Sequence, residues 1–519
     1  MALLRRNAKS RRITPERSGL AGKLAISTVI EYEHVLGALL LGLVFLAALV
    51  VTANHEALHR AGRTSPYWLW RLAGSSGMLL LLTFCYGFYL ALYERAVALD
   101  WRRLVPHGLL ALLPVVASRG LAMFEHSVYH EPVYYTPLPL TAMIFAIAYG
   151  GRTAAYLSAL LSVIIAVVSV GPAGEVPFGL TITLLGGSVV GALTTGRIRR
   201  LSKPLRVGFA VGAVQAALAL AAAAASRQAI DPHWMIIPAI NGIACGGVVL
   251  AFLPLVERAF KVTTDLTLLE LSDQNHKLLR RLALDAPGTY HHSQILGGLA
   301  EAAGEAIGAN SLLLRVGAYF HDLGKINKPE YFVENEGLRG SLHDRLSPAM
   351  STLIIAAHSK DGAEIAADYR LPQVIIDLIQ QHHGTSLIEY FYRKAIDEQG
   401  GLAGVKEEFF RHPGPKPSSK EVGILLLADA VESASRALSA PSPSRIERRV
   451  HEVISSKLMD GQLDECALTL AEVHRVEACL VKGLTHIFHG RISYPRPLPK
   501  RPSAAPSHTS DSRDPLPLG

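Results

Sequence analysis

Cysteine is scarce in this chain. The four that occur, Cys85, Cys245, Cys466 and Cys479, form no CxxC pair. Neither a disulfide framework nor a zinc–thiolate centre is implied, which suits a reducing compartment for the carboxyl-terminal half. Charge is thin as well: Asp, Glu, Lys and Arg make up 18% of 519 residues against 50% hydrophobic, and mean hydropathy is +0.27. The candidate apolar spans contain no pair of charges that would mark an ion path, which argues against transport; Arg119, near the outer interface, comes nearest. The first hydrophobic stretch lacks a small-residue cleavage site and reads as an anchor. Long polar insertions are missing too. The gap between the first two apolar runs, residues 53–75, is too short for an independently folded sensor.

What the chain has in quantity is apolar sequence before about residue 256. Runs near 35–52, 76–93, 105–122, 137–150, 154–170, 178–196, 207–225 and 234–254 are candidate spans. Several approach the roughly 20 residues that cross about 30 Å of hydrocarbon. The pair around the Gly150-Gly151 break is short, and a re-entrant hairpin or buried core helices compete with two spans there. Arg5, Arg6, Lys9, Arg11, Arg12 and Arg17 precede the first run; Arg102-Arg103 and Arg197, Arg199, Arg200, Lys203 and Arg206 follow later ones. The stretches 124–136 and 171–177 carry no Lys or Arg. That is the positive-inside pattern, with Arg60, Arg63 and Arg71 as exceptions, and it predicts a cytoplasmic amino terminus and carboxyl-terminal half. The net charge of +8 is then largely topological and not a sign of nucleic-acid polymers as partners; the lipid bilayer is the expected one. His55, His59, His126 and His130 read as solvated interfacial residues in preference to metal ligands.

The carboxyl-terminal half carries the chemistry. His292, His321-Asp322, His358, His382-His383 and Asp429 are side chains of the kind that hold Zn, Fe or Mn, and a carboxylate among them can bridge two ions. They sit in apolar helical patterns: His292 with Ile295, Leu296 and Leu299; Asp322 with Leu314 and Ala318; His382 with Val374 and Leu378; Asp429 with Leu425 and Leu426. Burying so many ionisable groups without a metal or partners would be costly. A lone histidine on such a face is usually a hydrogen-bonded core residue, but two adjacent pairs with further candidates favour a metal site. His291 competes in register with His292. Asp361 and Glu364 fit a helix-capping box, and His343-Asp344 fits a turn.

Gly288-Thr-Tyr-His-His-Ser293, His321-Asp-Leu-Gly-Lys325, His382-His-Gly-Thr385 and Leu427-Ala-Asp429, in this order, resemble an HD-domain phosphohydrolase. Phe332-Val-Glu-Asn335, Pro413-Gly-Pro-Lys-Pro417, and Leu253-Pro-Leu-Val-Glu257 leading to Thr263-Thr264 and Leu268-Leu-Glu-Leu271 narrow the resemblance. It is to the membrane-bound branch with an intracellular HD domain, the PgpH-type cyclic-di-AMP phosphodiesterases, and it covers roughly residues 75–495. Members of that branch usually carry a large extracytoplasmic domain, which the 53–75 gap lacks.

The resemblance implies an all-α protein. Residues 1–34 form a basic amino terminus; 35–256 a membrane region of about eight helices; 257–286 a connecting amphipathic helix; 287–440 an HD domain; 441–492 helices packing on it; and 493–519 a disordered tail. It implies two divalent ions, Fe or Mn in preference. His292, His321, Asp322 and Asp429 would hold one, while Asp322 bridges to a second held by His358, His382 and His383. It also favours His292 over His291, because His292 precedes Ser293. Lys325 would neutralise substrate phosphate. The implied reaction is hydrolysis of cyclic di-AMP to pApA, with a homodimer as a candidate assembly. Another cyclic nucleotide or dinucleotide is the alternative substrate, and a receptor or transporter with a regulatory nucleotide-binding HD module the alternative class.

Overall fold

The computed structural model of the chain describes residues 41–51, 67–124, 136–169, 178–226, 232–336, 340–401, 404–439 and 441–489. Among these the protein is helical, with one isolated antiparallel bridge between Leu387 and Arg411. It divides into two compact units, Met1–Pro287 with Gly362–Asp377, and Gly288–Asp361 with Leu378–Gly519. The basic amino terminus, His55, His59, His126, His130, Arg60, Arg63 and the carboxyl-terminal tail lie outside the described residues.

The first unit contains α1 (Leu41–Val51), α2 (Tyr67–Tyr93), α3 (Arg95–Ala98), α4 (Trp101–Phe124), α5 (Leu138–Tyr149), α6 (Gly151–Val168), α7 (Phe178–Thr195), α8 (Ser202–Ala225) and α9 (His233–Phe260). Six of these, α2, α4 and α6 to α9, are long and apolar enough to cross a membrane. Eight apolar runs therefore become six long helices plus the shorter α1 and α5 among the described residues. At 1.5 Å per residue α5 reaches only ~18 Å, and its residues Leu138–Ala146 are all buried, so it is a core helix. Gly150, at φ +89°, makes the corner, and a Cβ on Gly151 would meet Ala192 O at 2.8 Å, so α6 starts hard against α7. The α8–α9 pair packs closest. A Cβ on Gly208 would meet Gly242 O at 2.5 Å, and one on Gly246 would meet Pro204 O at 2.5 Å. Small residues at this spacing let two backbones touch, which is how apolar helices associate where lipid removes the hydrophobic drive.

The predicted single connecting helix over 257–286 is replaced by three pieces. α9 runs on to Phe260 and stops at Lys261, which is left-handed at φ +53°. Then come α10 (Asp265–Leu271) and α11 (Lys277–Asp285), separated by a turn in which Asp273 Oδ1 accepts from Asn275 N. Glu257 holds the first corner: its Oε1 accepts from Thr264 N and Thr267 Oγ1, both at 2.8 Å. Arg199 donates to Asp265 at 2.9 Å, which fastens the basic α7–α8 connection to the segment leaving α9.

The remaining helices are α12 (Pro287–Ile307), α13 (Ser311–Phe320), α14 (Pro348–Asp368), α15 (Gln373–Gln381), α16 (Glu389–Gln399), α17 (Lys420–Arg436), α18 (Pro443–Met459) and α19 (Leu470–His489). Asn310 caps α13 and Ser419 caps α17, each side chain accepting a backbone N–H three residues on. A Cβ on Gly317 would meet Leu378 Cδ1 at 2.5 Å, so the ends of α13 and α15 approach closely. Asp361 and Glu364 lie in the interior of α14, so the expected capping box does not exist. His343-Asp344 forms a one-turn 3-10 helix in which His343 Nε2 donates to Tyr331 O.

Candidate metal centre

Three of the expected ligands project from helix interiors, His292 from α12, His358 from α14 and Asp429 from α17. The others stand just past helix ends. α13 ends at Phe320, so His321 and Asp322 occupy the turn before a 3-10 helix, Leu323–Asn327, and not the helical stripe the sequence pattern suggested. His382-His383 follow α15, where Gly384 turns the chain at φ +54°. Two strings hold that turn. Gln381 Oε1 accepts from Ser418 N and Oγ, while Gln462 Oε1 accepts from Thr385 N at 2.8 Å.

These residues converge as two groups. Ligand atoms of His292, His321 and Asp429 lie within 4.8 Å of one another, as do those of Asp322, His358, His382 and His383. Asp322 faces both. Its Oδ2 is 3.1 Å from His321 Nε2 and 3.8 Å from His292 Nε2; its Oδ1 is 3.3 Å from His358 Nε2 and 3.7 Å from His382 Nε2. Asp429 likewise sends Oδ1 to His292 Nε2 (3.2 Å) and Oδ2 towards His383 Nδ1 (3.6 Å). His292 is 5% exposed, whereas His291 beside it is an exposed residue.

The imidazoles are held by their far nitrogens. His321, His358 and His382 each donate Nδ1–H to a backbone carbonyl three residues earlier: Ala318 (2.8 Å), Ile355 (2.5 Å) and Ile379 (2.7 Å). That fixes the tautomer and leaves each Nε2 lone pair aimed into the site. His358 and His382 then point two Nε2 atoms at each other across 3.3 Å. Two facing lone pairs repel unless something positive lies between or beside them. His321 Nε2 and Asp322 Oδ1 are also buried and make no hydrogen bond. Buried acceptors left open in this way fit a cation.

Electrostatics divides the two groups. Burial keeps His382 neutral, down to about 3. Burial lowers His383 and His412 in the same way. Burial also opposes charge on His292, but hydrogen bonds to Asp429 and Glu432 reverse it and raise that imidazole to about 10. The Asp322 carboxyl is lowered: burial works against it, and His321 and Lys325 outweigh burial. In the metal-free site His292 therefore carries the proton that a cation would replace.

Lys325 is not the open phosphate-binding charge that the sequence suggested. Its Nζ lies 2.8 Å from Asp322 Oδ2 and 2.7 Å from Glu334 Oε1, and 4.9 Å from the Phe332 ring centre. Committed to two carboxylates, it positions Asp322. Glu334 and Asn335 also take hold of the start of α12. Asn335 Oδ1 accepts from Gly288 N and Thr289 N, Thr289 Oγ1 donates to Glu334, and a Cβ on Gly288 would run into Glu334 O. The strings Gly288–Ser293 and Phe332–Asn335, separate in sequence, are one structure.

Several residues escaped the sequence reading. Glu432 accepts from His292 Nδ1 at 2.9 Å and from Arg436 Nε at 2.6 Å; it lies one turn beyond Asp429, a signal available from the α17 pattern. His412 stacks on His383 with ring centres 4.3 Å apart. A cavity of about 590 Å³ is lined by His383, His412 and Asp429 and also by α18, whose region the sequence suggested only as packing on the HD domain.

A polytopic helical unit, followed by a helical unit in which histidines and aspartates form two adjoining metal-binding groups, defines a multi-pass membrane protein with a divalent-metal-binding domain. Comparison narrows this. Residues 69–264 match the family model described as 7TM receptor with intracellular HD hydrolase, and residues 289–434 match the HD domain. Residues 69–264 thus carry the membrane region of that family, and residues 289–434 an HD domain. Over 393 residues it is 38% identical to the cyclic-di-AMP phosphodiesterase PgpH of Bacillus subtilis, covering 75% of this chain and 55% of that protein. Over 243 residues it is 45% identical to PgpH of Listeria monocytogenes, covering 47% and 33%. The chain thus spans about half or less of the length of these curated relatives. The solved HD domain of the Listeria protein in complex with cyclic-di-AMP is 44% identical, is covered completely by 42% of this chain, and gives a TM-score of 0.40.

Proposed function

We propose that the chain is a membrane-anchored, metal-dependent phosphodiesterase that hydrolyses cyclic di-AMP to pApA, with its HD unit on the cytoplasmic side. The carrying observation is Asp322, one carboxylate whose oxygens face two separate sets of imidazole nitrogens. We assign His292, His321, Asp322 and Asp429 to one ion and Asp322, His358, His382 and His383 to the other; Fe or Mn suits this nitrogen–oxygen set without thiolate. Two divalent ions so held would supply Lewis-acid stabilisation of phosphate charge and would acidify water. The chain's own part is orientation. The Nδ1–carbonyl bonds fix three imidazoles, Glu432 fixes a fourth, and Lys325 keeps Asp322 ionised and in place. A cavity of about 590 Å³ beside the ligands is of a size for a nucleotide substrate. The dinucleotide rests on the names borne by the Bacillus and Listeria relatives. The cytoplasmic side rests on the basic loop: Arg199 joins it to Asp265, so loop and linker share one end of the membrane unit.

The test uses the full chain in detergent. Bound metal is measured, and cyclic di-AMP and cyclic di-GMP are each followed to linear product by chromatography. Two ions per chain and pApA formation are expected, with His321→Ala abolishing turnover. Turnover that survives in His321→Ala ends this reading.

A further inference from the structure

The cavity beside the metal ligands is lined by several charged side chains, and nearly all of them are already paired. Arg411 donates to Asp460 at 2.7 Å and also reaches Glu407; Arg449 donates to Glu452; Glu389 is taken by Arg393; Asp429 is taken by His292. Lys457, on α18, is different. It lines the cavity, is half-buried, and its ammonium makes no hydrogen bond or ion pair among the described residues. Burial presses its ammonium towards the neutral form; Asp429 and Asp460 pull against this from beyond ion-pair distance, and Arg411 adds repulsion. A cation in this state gains from an arriving anion more than a solvated surface lysine does, because most of its water is already gone. Lys325, the lysine that sequence reading favoured, has no such capacity left.

The cavity's lining gives the anion its place. His383 and Asp429, both candidate metal ligands, line it together with Arg449, Glu452, Ser456 and Lys457 of α18. A cyclic dinucleotide has two phosphates on opposite sides of its ring, so one at the metals projects the other across the cavity. We propose that Lys457 binds the phosphate that is not being cleaved, and so makes α18 part of the recognition of a doubly anionic cyclic dinucleotide. This rests on the phosphodiesterase reading of the site.

The experiment measures equilibrium binding of a hydrolysis-resistant phosphorothioate cyclic di-AMP and of 5′-AMP to the metal-loaded full chain, as wild type, Lys457→Met and Lys457→Arg, with turnover of cyclic di-AMP itself followed separately. A charge-assisted contact removed without leaving a cavity should weaken cyclic di-AMP by about tenfold or more. Lys457→Arg should restore most of that, and 5′-AMP, with one phosphate for the metals, should lose less than the dinucleotide. Metal content equal to wild type in Lys457→Met excludes a folding defect. An unchanged Kd, an equal loss for both ligands, or no rescue by arginine overturns the inference. Wild type that binds cyclic di-AMP without cleaving it would sink the phosphodiesterase reading yet leave the Lys457 comparison readable, whereas wild type that does not bind it sinks both.

Discussion

Asp322→Asn is the most demanding single test of the metal centre, because it keeps the shape of the side chain and changes only charge and donor pattern. The carboxylate presents an acceptor to each group of imidazoles, at 3.1 Å on one side and 3.3 Å on the other. An amide can offer an oxygen to only one of them and must turn N–H donors to the other. One ion should be lost outright and the other held more weakly. Lys325 loses its partner at 2.8 Å but keeps Glu334 at 2.7 Å, so the folding cost should fall near the low end of the roughly 3–5 kcal/mol typical of a broken buried pair. Catalysis should fall by about a thousandfold, which corresponds to about 4 kcal/mol of barrier. The assay is metal content, thermal unfolding and cyclic di-AMP turnover on one detergent preparation. Asp322→Asn that retains two ions and a tenth of wild-type turnover would refute the bridging role.

Metal uptake should depend on pH in one group and not in the other. The His292 imidazole, held up to about 10, must release its proton to bind, so that site's apparent affinity should rise about tenfold per pH unit between pH 6 and 9. The His382 imidazole, already neutral down to about 3, has no proton to release over the same range, so the group it belongs to should show the shallower profile; chelator competition across pH reads both. The same proton affects metal-free stability. A raised imidazole stabilises fully below its unfolded value of about 6.5 and loses that contribution as pH rises through about 10, which thermal melts of the metal-free chain check. Gly242→Leu should destabilise the membrane unit by about 3 kcal/mol or more, seen as a lower melting temperature in detergent, because a Cβ there collides with the backbone of Gly208 and Gly212. Reporter fusions at Arg200 and at the carboxyl terminus should report the same side of the membrane; opposite sides would overturn the topology.

The residues of the candidate centre were legible because histidine and aspartate on apolar faces are costly without a partner, and seven of them recur in order. Their exact placement was less legible. Asp322 and His382 looked helical because their spacing continues the stripes of Leu314–Ala318 and Val374–Leu378, yet α13 and α15 end one or two residues earlier. Lys325 looked free because Glu334, nine residues on, is recognisable as its partner only once the 3-10 turns between them have formed. Lys457 carries no local signal at all, since its significance depends on which neighbours are already paired. In the membrane unit, the α5 run left a short span, a re-entrant hairpin and a buried core helix open, because its burial on nearly every face is set by neighbours that sequence does not rank. His107 went unnoticed there as a buried polar group, 2.6 Å from the Tyr86 hydroxyl and stacked on Phe145.

The corner after α9 has a mechanical corollary. Glu257 clamps Thr264 and Thr267 back onto the last turn of that helix, and Arg199 ties Asp265 to the α7–α8 connection. Gly208, Gly212, Gly242 and Gly246 bring α8 and α9 into backbone contact, so neither can slide without the other. A displacement of the end of α9 would therefore carry Thr264, Asp265 and Thr267 and the α7–α8 connection along with it.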